Sequence, residues 1–357
     1  MKFIITAGGQ GTKVWPLSRA ENPKQFQKIV NGDSLFTYNV ETLLKKYNPK
    51  DIFISTKKRY VDLAKQQAPQ IPVENYIIEP DVPKNRGPAE GLAFVTLAIK
   101  YPNDPFMIIQ ADCLRLPKEK YLKMIKEMET LVKKERKMIT GGIRVDYPIM
   151  GIDYIEIGEK LPNTKLEIHK IISFIDRTKD FQKTKKLIEK NTVTTHSNHL
   201  CWYPEKILDA YKKHKPLWYE ALAEMKPAIE NQDREKIEKI YEKMESGATE
   251  EVTKHIMSEG YIIALPFKWI DIGTWNSIYE FFKEENLNYT AGNTIALESS
   301  RNLIKTTNEN KLIAVLGVHD LVIVDTKDAL LIVPREKSEK VKDLQEKIKE
   351  NKWEKYL

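Results

Sequence analysis

Residues 2–13 read KFIITAGGQGTK: a short β-branched run, Lys2–Thr6, passes directly into Ala7-Gly8-Gly9-Gln10-Gly11-Thr12-Lys13. The run suits a buried strand. Glycines after it let the backbone take positive φ and approach a ligand closely, and successive N–H groups then form an anion-binding nest. A tight turn without any ligand satisfies the same heptapeptide. Two nucleotide signatures fail on spacing. A Walker A loop ends in Gly-Lys-Ser/Thr, which is missing, and a dinucleotide fingerprint needs G-x-G-x-x-G with an acidic residue closing the second strand. Here the spacing is G-G-x-G and the second strand candidate, DIFIS (Asp51–Ser55), ends in serine.

Outward from the loop, strand and helix patterns alternate. Phe36, Val40, Leu43, Leu44 and Tyr47 share a helical face; Tyr76–Ile78 and Phe106–Ile109 read as strands, and between them a helix is expected from Pro88 through Leu92, Val95 and Ile99. This rhythm predicts an α/β fold with a mostly parallel sheet and helices on both faces. Ligands in such sheets bind beyond the carboxyl ends of the strands, where the glycine loop and Asp112 both fall. Residues 138–282 mix further strands (Met138–Val145, Ile152–Ile157, Ile171–Ile175, Tyr261–Leu265) with helices around 204–245. From Leu287 short apolar runs recur without helices (NTIAL, NLIK, KLIAVLG, DLVIVD, ALLIVP), which predicts a small β unit, a meander or a few coils of a solenoid. The expected division is 1–286 and 287–357. A last helix, from about Glu336, sets Val341, Leu344 and Ile348 on one face, to pack on its own chain or a second subunit.

Composition narrows the functional classes. Hydrophobic residues make up 41% of the 357 and charged residues 31%, enough apolar material for a core and too much for a disordered chain. The formal charge is +7, from 58 basic and 51 acidic residues, but both signs are interspersed. No basic block is interleaved with aromatics, so nucleic-acid binding is not expected. A mild positive bias suits a cleft for phosphorylated small molecules. No run reaches the roughly 20 apolar residues of a membrane span. The two cysteines, Cys113 and Cys201, supply no disulfide framework. A cytoplasmic protein is the expectation.

Past the loop come Trp15-Pro16-Leu17-Ser18-Arg19 and Pro23-Lys24-Gln25-Phe26. With A-G-G-x-G-T before them, the chain resembles the sugar-1-phosphate nucleotidylyltransferases, and among them the mannose-1-phosphate guanylyltransferase (GDP-mannose pyrophosphorylase) branch, over essentially its whole length. The resemblance implies a Rossmann-like, GT-A-like nucleotidyltransferase fold with a solenoid-like C-terminal β domain. It implies transfer of GMP from GTP to α-D-mannose 1-phosphate, giving GDP-mannose and diphosphate, with Mg²⁺ as cofactor and a homodimer as assembly. A related enzyme with another sugar or base stays open. So does a weakly catalytic homologue that binds sugar nucleotides as a regulator.

Residue by residue, the resemblance implies that Ala7, Gly8, Gly9, Gly11 and Thr12 cradle the nucleotide, with Lys13 and Lys24 supplying positive charge at the triphosphate. Asp112, after the strand FMIIQ, matches the family's A-D-H aspartate. Asp271, in Trp269-Ile270-Asp271-Ile272-Gly273-Thr274-Trp275, matches W-x-D-x-G-x-W, and the two are expected to hold the metal. Such transfer asks for positioning and charge neutralisation more than covalent chemistry, and Mg²⁺ prefers carboxylate oxygens. Glu79, Asn85 and Pro88 stand in the E-P … N-T-A-P-A loop beside the nucleobase, though Arg86-Gly87 replaces Thr-Ala. Gly151 opens the G-Y-G-Y-I segment, Asp176-Arg177 replaces the F-x-E-K pair, and Asn198 lies near N-S-G; these four are expected at the sugar phosphate. Lys13 replaces an arginine, which removes a bidentate fork. Cys113 stands where histidine is usual and reads as a packing residue, as does His199.

Overall fold

The computed structural model describes residues 1–9, 11–30, 32–283 and 287–357. Gln10 of the glycine loop and the residue at the expected division, 286, lie outside them.

The described strands build a ten-stranded mixed sheet. From one edge its order is Val193–Thr195, Tyr154–Lys160, Ile168–Ile175, Tyr261–Ala264, Ile139–Gly142, Cys201–Trp202, Phe106–Gln110, Lys2–Thr6, Ile52–Lys57 and Tyr76–Glu79. The last four run parallel, and only Val193–Thr195, Ile168–Ile175 and Cys201–Trp202 oppose the common direction. The uninterrupted apolar runs have a simple cause. Phe3, Ile5, Ile52, Ile54, Met107 and Ile109 point into one core, under the helices Leu35–Leu44, Val61–Gln67 and Lys118–Glu135. Their neighbours Ile4, Phe53, Phe106 and Ile108 point into the other, under Arg86–Lys100, Pro204–His214 and Pro216–Glu230. A strand covered on both faces has no reason to alternate apolar with polar residues.

The expected strands exist with bounds shifted by a few residues; Met138–Val145, for instance, contracts to Ile139–Gly142. Several short strands were not expected, among them Val193–Thr195 and Cys201–Trp202 of the large sheet, and two more matter for the site. Cys113–Leu116 and Lys268–Asp271 form an antiparallel ribbon in which Asp271 pairs with Cys113.

Beyond Leu287 the chain winds as a solenoid. Tyr289–Ala291, Leu303–Thr306 and Leu321–Asp325 stack in parallel, as do Thr294–Leu297 and Ile313–Leu316, and Leu330–Pro334 closes the stack antiparallel. Parallel stacking decides for a solenoid over a meander. Leu303, Val322, Val324 and Leu331 pack against Val14, Trp15 and Trp275, and Trp275 donates its indole N–H to the Trp15 carbonyl (2.8 Å). The last helix, Val341–Glu350, lies on the turn Thr12–Val14, where Gln345 donates to the Thr12 carbonyl (2.9 Å). Val341 is buried there, but Leu344 stays 42% exposed, so the expected three-residue buried face is not continuous. Among the described residues no helix is long and apolar enough to cross a membrane.

Candidate active site

The four parallel strands end at one edge of the sheet, and a cavity of about 660 Å³ opens above those ends. Its floor is the glycine loop. Gln25 is buried and spans the loop from below, donating from Nε2 to the carbonyls of Ala7 (2.7 Å) and Gly9 (2.8 Å). Gly8 lies so close to Glu79 that a Cβ there would sit 2.7 Å from Oε2, and Gly11, at φ +61°, has no room beside Lys24. Gly9 faces open space. The loop therefore needs glycine for tight packing at two positions and offers bare backbone to the cavity at a third.

Lys24 holds the acidic centre together. Its ammonium is buried, 3.0 Å from Asp112 Oδ2 and 3.7 Å from Asp271 Oδ1. Burial by itself would lower the lysine pKa, but the two carboxylates outweigh it and raise it, so Lys24 stays charged. Desolvation pushes Asp112 up, and Lys24 more than reverses this, leaving it below the usual carboxylate range. Asp271 moves the other way: desolvation and the Asp112 charge exceed the relief from Lys24. The pair shares one cation unequally and has capacity for more positive charge. Asp112, Cys113 and Asp271 each bring one ligand atom within 4.8 Å of the others, so this group could hold a metal ion. The Cys113 thiol is pushed well up by burial and then by both carboxylates, which keeps it protonated. The usable donors are thus two hard oxygens, the set suited to a hard divalent cation that retains waters.

On one side of this centre Glu79 is buried at the cavity wall and accepts from Ser55 Oγ (2.8 Å). Burial raises its pKa, opposed by the Ser55 hydrogen bond and the Lys57 charge. Asn85, at φ +63°, caps the helix that begins at Arg86 by accepting from its N–H. On the other side Arg177 forks onto the buried Asp153, Nε to Oδ1 at 3.0 Å and Nη2 to Oδ2 at 2.5 Å. Asn198, at φ +56°, sits between Glu250, His196 and Arg86, and donors match acceptors there when its amide nitrogen faces Glu250 and His196 and its oxygen faces Arg86.

The structure thus brings Ala7, Gly8, Gly9, Glu79, Asn85, Asp112, Arg177, Asn198 and Asp271 to one cavity, with Lys24 buried beneath its two aspartates. Others stand apart from its wall. Thr12 and Lys13 lie under the C-terminal segment, where Lys13 Nζ meets Glu339 Oε2 at 2.5 Å. Pro88 is buried in the first turn of its helix. Gly151 sits in an exposed loop at φ +76°, and the exposed Asp176 is drawn to Lys254 (3.1 Å). His199 is a fully buried packing residue that accepts from Arg115 Nε (2.9 Å). Sequence reasoning missed several groups on or under the wall. Gln25, Asp153 and Trp269 sat inside motifs the sequence showed, without a role; Lys57 and Glu250 reach the site through long-range packing that no local pattern announces.

Bare glycine backbone, a buried lysine and paired carboxylates at the strand ends are the features of a nucleotide-handling α/β protein. The chain matches the family described as nucleotidyl transferase over residues 2–287 and belongs to it. Residues 292–348 match the mannoseP isomerase/GMP-like β-helix domain. A mannose-1-phosphate guanylyltransferase of Escherichia coli is 26% identical over 353 residues, covering 96% of this chain and 74% of that protein. The alginate biosynthesis protein AlgA of Pseudomonas aeruginosa is 24% identical, over 95% of this chain and 70% of that one. Among solved structures, a Thermus thermophilus protein described as a mannose-1-phosphate geranyltransferase superposes with a TM-score of 0.85 at 20% identity, covering 98% of this chain and 99% of that one.

Proposed function

We propose that the protein transfers GMP from GTP to α-D-mannose 1-phosphate, releasing diphosphate. The observation that carries this reading is the convergence of Asp112, Asp271 and Lys24 beside the bare backbone of Gly9. A phosphate oxygen of the sugar attacks the α-phosphorus of GTP, the bond from that phosphorus to the β-phosphate bridging oxygen breaks, and diphosphate leaves with the electron pair. In such a transfer the protein positions two anions in line and neutralises the charge that builds up.

In this reading Ala7–Gly9 and Gly11 cradle the triphosphate, and the Lys24 ammonium stabilises charge at the α-phosphate. Asp112 and Asp271 would hold Mg²⁺, which supplies Lewis-acid charge neutralisation when bound. Glu79, two acceptor oxygens in a buried wall, suits the two adjacent donors, N1–H and the 2-amino group, on the guanine edge; adenine and uracil lack that pair. Arg177, with Asp153 holding it, and Asn198 would meet the sugar phosphate. The names of the curated relatives support the sugar and the base.

The wider reading places the catalytic unit in residues 1–286 and the solenoid in 287–357, in a cytoplasmic homodimer. Ile295, Leu297 and Leu316, exposed on one uncovered pair of solenoid strands, support a second copy there. The test is a panel of five nucleoside triphosphates against several hexose 1-phosphates with Mg²⁺, read by product mass. GDP-mannose should dominate. Tight GDP-mannose binding without turnover in any combination would instead favour a regulatory role.

A further inference from the structure

We propose that the seam between the large sheet and the solenoid is a second binding site, for a small phosphorylated sugar, whose occupancy acts on Lys24. A cleft of about 760 Å³ opens there, walled by Asn22, Phe26, Gln27 and Lys28 on one side and by Lys305–Glu309 of the solenoid on the other. Its size is within the range of ligand pockets.

Three features give the ligand its chemistry. Lys28 and Lys305 face the cleft, and among the described residues neither forms an ion pair or side-chain hydrogen bond. Lys305 is half-buried on the strand Leu303–Thr306, and desolvation lowers its pKa with no neighbouring carboxylate to offset it. One carboxylate, Glu309, shares the wall. A half-buried lysine without a partner costs free energy, and an anion relieves it. Gln27, Asn293, Thr307 and Asn308 also line the wall, polar partners for hydroxyl groups. The cleft has no platform for a nucleobase, because its aromatic ring, Phe26, is buried against Phe36 and Tyr60. A phosphate with hydroxyls fits; a base does not.

The segment 22–28 has two working faces. Residues 22, 26, 27 and 28 line the cleft, while Lys24 reaches Asp112 and Gln25 props the carbonyls of Ala7 and Gly9. Gln27 ties the segment by donating to the Asn22 carbonyl (2.7 Å). A ligand held between Asn22 and Lys305 therefore sets the position of the turn that carries the buried lysine.

Calorimetry with hexose 6-phosphates (glucose, mannose and fructose) tests this on the full chain, with the active-site cavity saturated by GDP-mannose and Mg²⁺. The binding measurement involves no turnover, so it stands whether or not the proposed reaction does; the kinetic measurement rests on that reaction. One saturable site is expected, weakened about tenfold or more in Lys305→Gln, the size of one charge-assisted hydrogen bond. Lys305→Gln should keep the wild-type melting temperature and the wild-type rate in the absence of hexose 6-phosphate. Saturating the wild type should shift the nucleotide KM at least a few-fold, and the shift should vanish in the variant. Absence of binding, binding indifferent to Lys28→Gln/Lys305→Gln, or an unmoved KM at saturation would each overturn the proposal.

Discussion

Asp271 pairs in register with Cys113, the neighbour of Asp112, across a four-residue antiparallel ribbon, and this is what sets the two carboxylates around one lysine. The ribbon lies just past the strand Phe106–Gln110, so the acidic centre is built on the sheet edge rather than on a free loop. Rigid ladders hold such constellations better than loops do.

The first prediction separates the two aspartates from the cysteine between them. Asp112→Asn and Asp271→Asn should each lower kcat by about 10²-fold or more, the scale of losing a preorganised charge at the reacting phosphate. Cys113→Ser keeps a donor to Asp112 and should stay within a few-fold in rate, at a stability cost of about 1 kcal/mol. Chelation should abolish turnover in the wild type, and added Mg²⁺ should restore it. Steady-state kinetics against Mg²⁺ concentration, with melting curves, read all of this; equal effects in the three variants would refute the assignment.

Glu79 governs the base in the proposed reaction. Glu79→Gln exchanges one acceptor for a donor facing the same edge. The preference for GTP over ATP, measured as a ratio of kcat/KM, should fall about 10- to 100-fold, or about 1–3 kcal/mol, the value of a two-point contact.

The ion pair between Lys13 and Glu339 links the glycine loop to the C-terminal segment on the surface. Exposed pairs contribute about 0–1 kcal/mol, so Glu339→Gln should leave Tm almost unmoved. It frees Lys13, however, and the nucleotide KM should fall a few-fold at low ionic strength. At 1 M salt, where screening acts over about 3 Å, wild type and variant should converge. A gap that persists in salt would mean that Glu339 acts by packing.

Stability should depend on pH through His199. Its Nε2 accepts from Arg115, and its other nitrogen lies 2.9 Å from Ser197 Oγ. Burial first, then the Arg115 charge, pushes its pKa well below the ordinary value. The unfolded chain takes up a proton near pH 6.5 that the folded chain refuses. The contribution is therefore complete above that pH and is lost on acidification, by about 1.4 kcal/mol per pH unit until the folded pKa is reached. Denaturant titrations between pH 7.5 and 5 should show that slope in the wild type and a shallower one in His199→Gln. Parallel slopes would place the acid sensitivity elsewhere.

How far the sequence could be read depends on the range of each interaction. Lys2–Thr6 and Phe106–Gln110 were legible because both faces of those strands are covered, which leaves an apolar run that needs no partner to be recognised. The helix through Leu92 and Val95 was legible from its spacing. The ribbon was not: Cys113–Leu116 and Lys268–Asp271 have four residues each and mixed polarity, and either segment alone reads as a loop. The parallel stacking of the solenoid was equally hidden, since short apolar runs fit a meander as well.

By itself the sequence determined which residues could carry charge, where the glycine loop falls, and that a covered sheet with a β-rich tail would form, because these follow from side-chain chemistry and local period. Only the tertiary structure decided that Lys24 lies between two distant aspartates, that Lys13, within reach of the Asp271 charge, is paired with Glu339, that Asp176 meets Lys254 on the surface, and that Glu250 lines the cavity while Asp153 stands behind Arg177. Those are matters of which cation is nearest to which anion. The register of strands far apart in the chain sets that distance, and no local pattern encodes it.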